Sequence, residues 1–208
     1  MIRTTLLFFL FINVCSCNSQ SQREKINIED LAKSIKEYHQ KAEGSNPEER
    51  AKYENLFFKV FPSSFKEMEL LFGYDEIKGK APLYDYPIGS NIISFFSKLK
   101  YVETEPYYNK YIDICIGGKW EADNISEGFG IGAKLYYDTE GMVSQLSKRK
   151  DEDVIGVFRF LYDGPHPDNY KESYDSLHAK VKEVNPKVAE LMKQAYELLL
   201  SEDDGHGH

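Results

Sequence analysis

The sequence predicts an all-α fold, an orthogonal bundle of several helices in a single domain that follows a cleaved lipoprotein signal. Apolar residues recur at spacings of three and four along most of the chain, which is the period of an amphipathic helix. Clear two-residue alternation with hairpin turns is scarce, so few strands are expected. Asparagine–proline pairs and a serine–glutamate pair precede several apolar stripes, and such pairs begin helices.

Residues 1–16 are typical of a signal peptide. Arg3 is followed by a short apolar run, Leu6–Val14, whereas a helix needs roughly 20 apolar residues to cross a bilayer. The cleavage region, 14–17, resembles a bacterial lipobox, and the resemblance implies that Cys17 becomes the lipidated first residue. We therefore expect a lipid anchor in the bacterial cell envelope, facing the periplasm. The alternatives are an ordinary secretory signal with incidental cysteines, or a buried N-terminal helix.

Three parts follow the signal. Residues 17–27 are polar after the cysteine and predict a flexible tether, whose r.m.s. reach is roughly 17 Å for about ten residues. Residues 28–200 are expected to form the helical domain, and residues 201–208 a disordered acidic tail with glycine and histidine. About 190 residues remain after cleavage, a length that suits one domain.

The composition narrows the classes of partner. The formal net charge is −8 at pH 7, whereas nucleic-acid-binding domains present a clustered basic face. We therefore expect no nucleic-acid partner. Two of the three cysteines, Cys15 and Cys17, belong to the export segment, so the domain has one, Cys115, which cannot form an internal disulfide. Its apolar neighbours favour a buried, unreactive thiol over a catalytic thiolate.

Nine helices are expected after the tether, separated by glycine, proline or capping residues. They span about 28–42, 47–61, 65–72, 91–99, 105–115, 135–146 and 154–161, then one that contains 174–181 and one that begins at 186. Residues 111–116 are also rich in β-branched and aromatic side chains, so a strand is the alternative there. Residues 74–89 are expected to form a loop.

Capping residues define several of these helix boundaries. Asn46 is expected to cap the second helix, with Pro47 at its first position. Ser64 and Glu67 form the pattern of a capping box for the third helix. Gly73 is expected to end that helix in a left-handed conformation.

Catalytic signatures are absent from the sequence. It contains no His-Glu-x-x-His motif and no Gly-x-Ser-x-Gly motif, which are typical of metalloproteases and of serine hydrolases. The glycine-rich segment 128–132 lacks the spacing of a dinucleotide-binding loop. We therefore expect no cofactor and no metal site, and a protein that is not an enzyme.

The loop 163–168 is the sharpest polar cluster. Asp163, His166 and Asp168 lie in it beside two prolines, so a histidine–aspartate base or part of a metal site is one interpretation. In the structural interpretation, Asp168 caps the following helix and His166 is exposed. Asp163 and His166 are also candidates for contact with a partner.

Aromatic residues in loops are candidate anchors for a protein partner. Tyr84, Tyr86 and Trp120 stand near glycine or proline, and tyrosine and tryptophan are enriched at binding hot spots. Packing in the core is the alternative role for them.

Three segments resemble a group of bacterial proteins: 61–74, which begins Phe-Pro-Ser-Ser-Phe and ends Leu-Phe-Gly-Tyr, 81–84, Ala-Pro-Leu-Tyr, and 162–167, Tyr-Asp-Gly-Pro-His-Pro. The group is found with secreted antibacterial toxins, including those of type VI secretion. The resemblance implies an immunity protein that is exported or lipidated and that binds a toxin. It covers about a fifth of the chain and transfers no site residue.

Three functions remain as alternatives. The first is a lipid-tethered helical module that binds a protein partner, a secreted toxin being the candidate. The second is an envelope enzyme that uses the loop 163–168. The third is a passive lipoprotein that binds a small ligand, for which an apolar cavity with few polar groups would be expected.

Overall fold

A computed structural model describes residues 27–119, 129–164 and 166–202. The fold is all-α, as predicted, and its described part contains ten helices. They are α1 Ile28–Gly44, α2 Pro47–Val60, α3 Phe65–Phe72, α4 Ile88–Ser97, α5 Thr104–Cys115, α6 Ile131–Tyr137, α7 Thr139–Leu146, α8 Asp151–Tyr162, α9 Lys171–Val184 and α10 Pro186–Glu202. A 3₁₀ turn, Pro167–Tyr170, precedes α9, and two short strands, β1 Tyr74–Asp75 and β2 Gly79–Lys80, form an antiparallel pair.

The predicted caps form at the starts of α2 and α3. The Asn46 side chain accepts hydrogen bonds from the amides of Glu48 and Glu49, both at 3.1 Å. The Ser64 hydroxyl accepts from the Glu67 amide at 3.3 Å. The Glu67 carboxylate accepts in return from the amide of residue 63 at 2.7 Å, one position before the cap. These bonds satisfy amides that the first helical turn leaves unpaired.

The prediction for Gly73 is wrong, and so is the plain loop that was expected after it. Gly73 is extended, with φ −84° and ψ 178°, and a Cβ atom there would lie 2.7 Å from the carbonyl oxygen of Glu69. Close approach to α3 therefore favours glycine, rather than a positive φ. The chain then continues into the hairpin of β1 and β2.

The predicted helix over 135–146 is two helices. Asp138 separates α6 from α7, and its side chain accepts a hydrogen bond from the amide of Gly141 at 3.1 Å. The break follows from this capping bond, which begins a new helix in the middle of the apolar stripe. Residues 111–115, for which a strand was the alternative, belong to α5.

Two predicted domain boundaries also move. Asn27 caps α1 by accepting from the Glu29 amide at 3.1 Å, so it is not part of the tether. Ser201 and Glu202 belong to α10 rather than to a tail, and the Glu202 carboxylate binds Arg159 of α8 through two bonds of 2.6 and 3.0 Å. Residues 1–26 and 203–208 lie outside the described ranges, so the signal, the tether before Asn27 and the rest of the tail stay predictions.

The first half of the core is a stack of aromatic rings. Phe96 lies between Phe61 and Phe129, with ring centroids 4.2 and 5.8 Å apart and nearly parallel planes. The hydroxyl of Tyr111 donates to the carbonyl of Phe129 at 2.9 Å, which satisfies its buried polar end. Cys115 is fully buried nearby, as predicted, and burial raises the pKa of its thiol.

A second aromatic group joins the last three helices. The rings of Tyr174 and Tyr196 stack at 4.2 Å, and both contact Tyr162 at the end of α8. Each such contact contributes about 0.5–1.5 kcal/mol beyond simple burial. The helices α8, α9 and α10 therefore pack as one unit, while α1 packs along α2 at the other end of the sequence. None of the described helices is long and apolar enough to cross a bilayer.

Candidate partner-binding surface

The turn of the hairpin is closed by its own side chains and backbone. The Asp75 carboxylate accepts hydrogen bonds from the amides of Ile77 at 2.9 Å and Lys78 at 2.7 Å. Gly79 has φ +80°, a conformation that glycine adopts at no steric cost. Tyr74 then faces Lys80 across the strand pair. This closure leaves Ile77 at the tip with 95% of its surface exposed.

The loop after the hairpin is tied to α3. The amide of Ala81 donates to the carbonyl of Gly73 at 3.0 Å, and the amide of Leu83 donates to the carbonyl of Leu71 at 2.8 Å. The Leu83 side chain is buried. Because both bonds start and end on backbone atoms, the position of the loop depends little on which side chains it presents.

The two predicted anchor tyrosines of this loop lie at the hairpin. The ring of Tyr84 is half-buried, 5.8 Å from the ring of Tyr74, and the Lys80 ammonium lies 5.5 Å from its centroid. Tyr86 is 81% exposed. Tyr84 therefore packs mainly against Tyr74 and Lys80 of the hairpin. The ring of Tyr86 is exposed and can contact a partner.

Five side chains of the segment that contains these tyrosines are apolar and exposed. We call them, together, the hairpin surface: Leu70 of α3, Tyr74, Ile77, Tyr86 and Ile88. Single exposed apolar residues are ordinary, but five on one short segment, 70–88, are typical of an interaction site. The sequence pattern predicted Tyr86 as a candidate anchor but not the other four residues. Ile77, an apolar residue between charged residues in a turn, was the available signal.

A groove of about 440 Å³ lies between α3, the hairpin and the residues after α5. Four exposed lysines line it: Lys66, Lys78, Lys80 and Lys119. Two acidic residues, Glu69 and Asp75, also line it, and Leu70 and Tyr74 connect it to the hairpin surface. The groove is mixed in polarity and open, unlike the enclosed apolar cavity expected of a carrier for a small apolar ligand.

The loop 163–168 lies elsewhere in the fold, after α8. Asp163 is half-buried. The hydrogen bond with Glu202 raises the pKa of the Arg159 guanidinium most, and the charge of Asp163 adds to this effect. His166 is exposed, as the structural interpretation expected. The expectation that Asp168 caps the next helix is wrong, because Asp168 lies inside the 3₁₀ turn and α9 begins at Lys171 without a side-chain cap.

That loop is held by the tyrosines beneath it. The hydroxyl of Tyr196 donates to the carbonyl of Pro167 at 3.0 Å. A Cβ on Gly164 would lie 2.8 Å from the hydroxyl of Tyr170, so glycine allows Tyr170 to pack there. These contacts give the loop a structural role that needs neither a base nor a metal.

A second polar cluster lines a cavity of about 410 Å³ beside α6. The hydroxyl of Tyr108 donates to the Asp138 carboxylate at 2.5 Å, and the Lys134 ammonium lies 4.9 Å from the centre of the Tyr107 ring. Burial lowers the pKa of Lys134, and the charge of Asp138 opposes that effect. Asp138 also caps α7, so this cluster is explained by the junction of α6 and α7.

The remaining site predictions fall outside the described residues. Cys17 and Trp120 are both in undescribed segments, so the lipid site and the third aromatic anchor stay predictions. Within the described ranges no group of three or more His, Cys, Asp or Glu side chains is placed to hold a metal ion. Protein-family models, curated proteins and solved structures were compared with the chain, and none matches it.

Proposed function

We propose that this chain is a lipid-anchored protein of the bacterial envelope that binds a protein partner through the hairpin surface. The observation that carries the proposal is the exposure of five apolar side chains on segment 70–88. The segment is fixed on α3 by backbone hydrogen bonds, and a preorganised surface loses little conformational entropy on binding.

The candidate partner is a secreted antibacterial toxin. Support comes from the resemblance of segments 61–74, 81–84 and 162–167 to proteins found beside such toxins. Segment 61–74 ends at the first residue of the hairpin, and segment 81–84 follows it directly. A lipid on Cys17 would hold the binding surface at the membrane, where it raises the effective concentration of the binder toward an arriving toxin. The function would then be neutralisation by binding, without chemistry on the toxin.

Protection in living cells tests the proposal. Deleting the gene is expected to make cells sensitive to the toxin encoded beside it, and the wild-type gene should restore protection. The double variant Ile77→Asp with Tyr86→Ser should fail to restore it, because a charge and a small polar side chain replace two apolar contacts. Tyr137→Ser is the matched control, since Tyr137 is 86% exposed on α6 and its loss should leave protection intact. Unchanged sensitivity after the deletion would overturn the immunity role.

The anchor is tested separately. Cys17→Ser should leave the helical fold intact and move the protein from the membrane fraction to the soluble fraction, because no lipid can then be attached. Cell fractionation with immunoblotting measures the distribution. A processed Cys17→Ser protein that stays in the membrane fraction would refute the lipid site. That result would not bear on the hairpin surface.

A further inference from the structure

The groove beside the hairpin surface differs in charge from the rest of the molecule. The whole chain has a formal net charge of −8, but four lysines and two acidic residues line the groove. These lysines come from separate parts of the chain: Lys66 from α3, Lys78 and Lys80 from the hairpin, and Lys119 from the residues after α5. The fold therefore concentrates positive charge at one place on an acidic protein.

Two acidic side chains, Glu69 and Asp75, offset only part of the positive charge of the four lysines. The Asp75 carboxylate is already bonded to two amides of the turn, and those bonds, from Lys78 first and Ile77 second, lower its pKa. Lys80 pairs with Asp85 at 2.7 Å on the exposed side of the loop. Lys66 and Lys119 are exposed. Lys66 precedes the hairpin in the sequence, and Lys119 follows it. Their charges are available to an approaching anion.

We propose that this groove binds an acidic segment of the partner protein, a run of aspartate and glutamate side chains that accompanies apolar contacts on the hairpin surface. The inference rests on the proposed function and adds the chemistry of the partner. Leu70 and Tyr74 line the groove and also belong to the hairpin surface, so one partner can use both. Complementary charge of this kind raises the association rate and selects among partners.

The shape of the groove favours a peptide segment over a lipid bilayer. Buried Gly73 and half-buried Gly79 and Ala81 line the groove between α3 and the hairpin, and a flat membrane surface does not enter a concave site. The carboxylates of Glu69 and Asp75 line it as well and repel any anion, so an occupant must place its negative charges beside individual lysines. The separate side chains of a peptide allow this, whereas a continuous anionic surface does not.

A binding assay with a defined probe tests the inference. The full lipidated chain in detergent micelles is titrated against a fluorescein-labelled hexaglutamate peptide, with fluorescence anisotropy as the readout. We expect binding that weakens as salt rises from about 0.02 M to about 0.3 M, because added salt screens exposed charges. The triple variant Lys66→Glu, Lys78→Glu, Lys119→Glu should weaken it by about tenfold or more.

The control variant carries the same change of charge elsewhere. Lys33→Glu, Lys52→Glu and Lys182→Glu replace three exposed lysines of α1, α2 and α9 and should leave hexaglutamate binding within about threefold of wild type. Circular dichroism and thermal unfolding check that both variants fold. Absence of hexaglutamate binding, or equal losses in the two triple variants, would overturn the inference. Stronger, groove-dependent binding to phosphatidylglycerol vesicles than to the peptide would overturn it in favour of a membrane contact.

The two proposals fail in different ways. Suppose that the groove variant still protects cells against the toxin while the double variant Ile77→Asp with Tyr86→Ser does not. In that case the protein-binding function stands, and the inference that the groove binds an acidic segment of the partner is refuted. If deletion of the gene changes no toxin sensitivity, the immunity role fails, and the hexaglutamate titration still decides the chemistry of the groove.

Discussion

Glu54 has no exposed surface, and its carboxylate is held by three donors. It accepts from the Arg50 guanidinium at 2.8 Å and from the amides of Lys100 and Tyr101 at 2.7 and 3.0 Å. The residue thereby fastens α2 to the connection between α4 and α5. A buried charge with this many partners is a structural group, since removing it leaves three donors without their acceptor.

Replacing Glu54 by leucine is expected to lower the free energy of unfolding by about 1–3 kcal/mol, because the guanidinium and both amides lose their acceptor. Glu54→Gln keeps an acceptor oxygen and should lose less. Urea unfolding followed by circular dichroism measures the change. Glu37→Gln removes an exposed partner of Lys41 and should change little. Equal midpoints for Glu54→Leu and Glu37→Gln would contradict this role.

His39 makes stability depend on pH. The ring is buried between Phe57 and Phe95, and its Nε2 atom lies 3.6 Å from Glu43, too far for a hydrogen bond. Burial lowers the pKa of the imidazole, and the charge of Glu43 opposes this only in part. The cation is therefore less stable in the folded chain than in the unfolded chain. The Arg50 side chain lies over the Phe95 ring, and its like charge does not stabilise the imidazolium.

Stability from His39 is expected to be present above its unfolded pKa of about 6.5 and to be lost as pH falls below that value toward the lower folded pKa. Urea unfolding at pH values from about 8 to about 5 measures the loss. His39→Leu should remove that component of the pH dependence, because leucine does not titrate. His166→Gln, at an exposed histidine, should keep it. Parallel pH profiles for wild type and His39→Leu would show that His39 does not contribute.

At the scale of elements, helix starts were predictable and helix interruptions were not. Asn46 and Ser64 cap helices from their own side chains, and the identity of such residues is visible in the sequence. Asp138 interrupts an apolar stripe by capping α7, and its carboxylate also accepts from Tyr108, thirty residues earlier in the chain. The extended Gly73 fits a close contact with Glu69, four residues earlier. The Tyr108 bond is tertiary and absent from local pattern, whereas at Gly73 the contact is local but the glycine alone does not show which conformation it takes.

Asp138→Ala is expected to destabilise the junction of α6 and α7 by about 1–2 kcal/mol, since α7 loses its N-terminal cap and the Tyr108 hydroxyl loses its acceptor. Thermal or urea unfolding measures this. Glu140→Ala changes an exposed acid in the first turn of the same helix and serves as the control, with little effect expected. If both variants unfolded at the same denaturant concentration as wild type, the capping role of Asp138 would be refuted.

At the scale of the molecule, the helical period predicts the fold class, but the sequence predicts only one residue, Tyr86, of the proposed binding surface. The apolar faces that predict helices also predict which residues fill the core, and Phe65 and Phe72, on the apolar face of α3, are buried. The hairpin of β1 and β2 was missed because two-residue strands carry no alternating pattern. Its tip holds Ile77, whose exposure depends on how the turn closes. The groove is lined by lysines that are far apart in the sequence, from position 66 to position 119, and no local motif connects them.

We propose that the hairpin surface contacts a protein partner in the envelope. Benzoylphenylalanine placed at position 86 in the full chain, followed by irradiation of cells exposed to the neighbouring toxin, detects such a contact as a covalent adduct. We predict a covalent adduct that contains the toxin from position 86, and none from position 137, which is equally exposed but lies on α6. Absence of an adduct at position 86, or equal adducts from both positions, would contradict the claim.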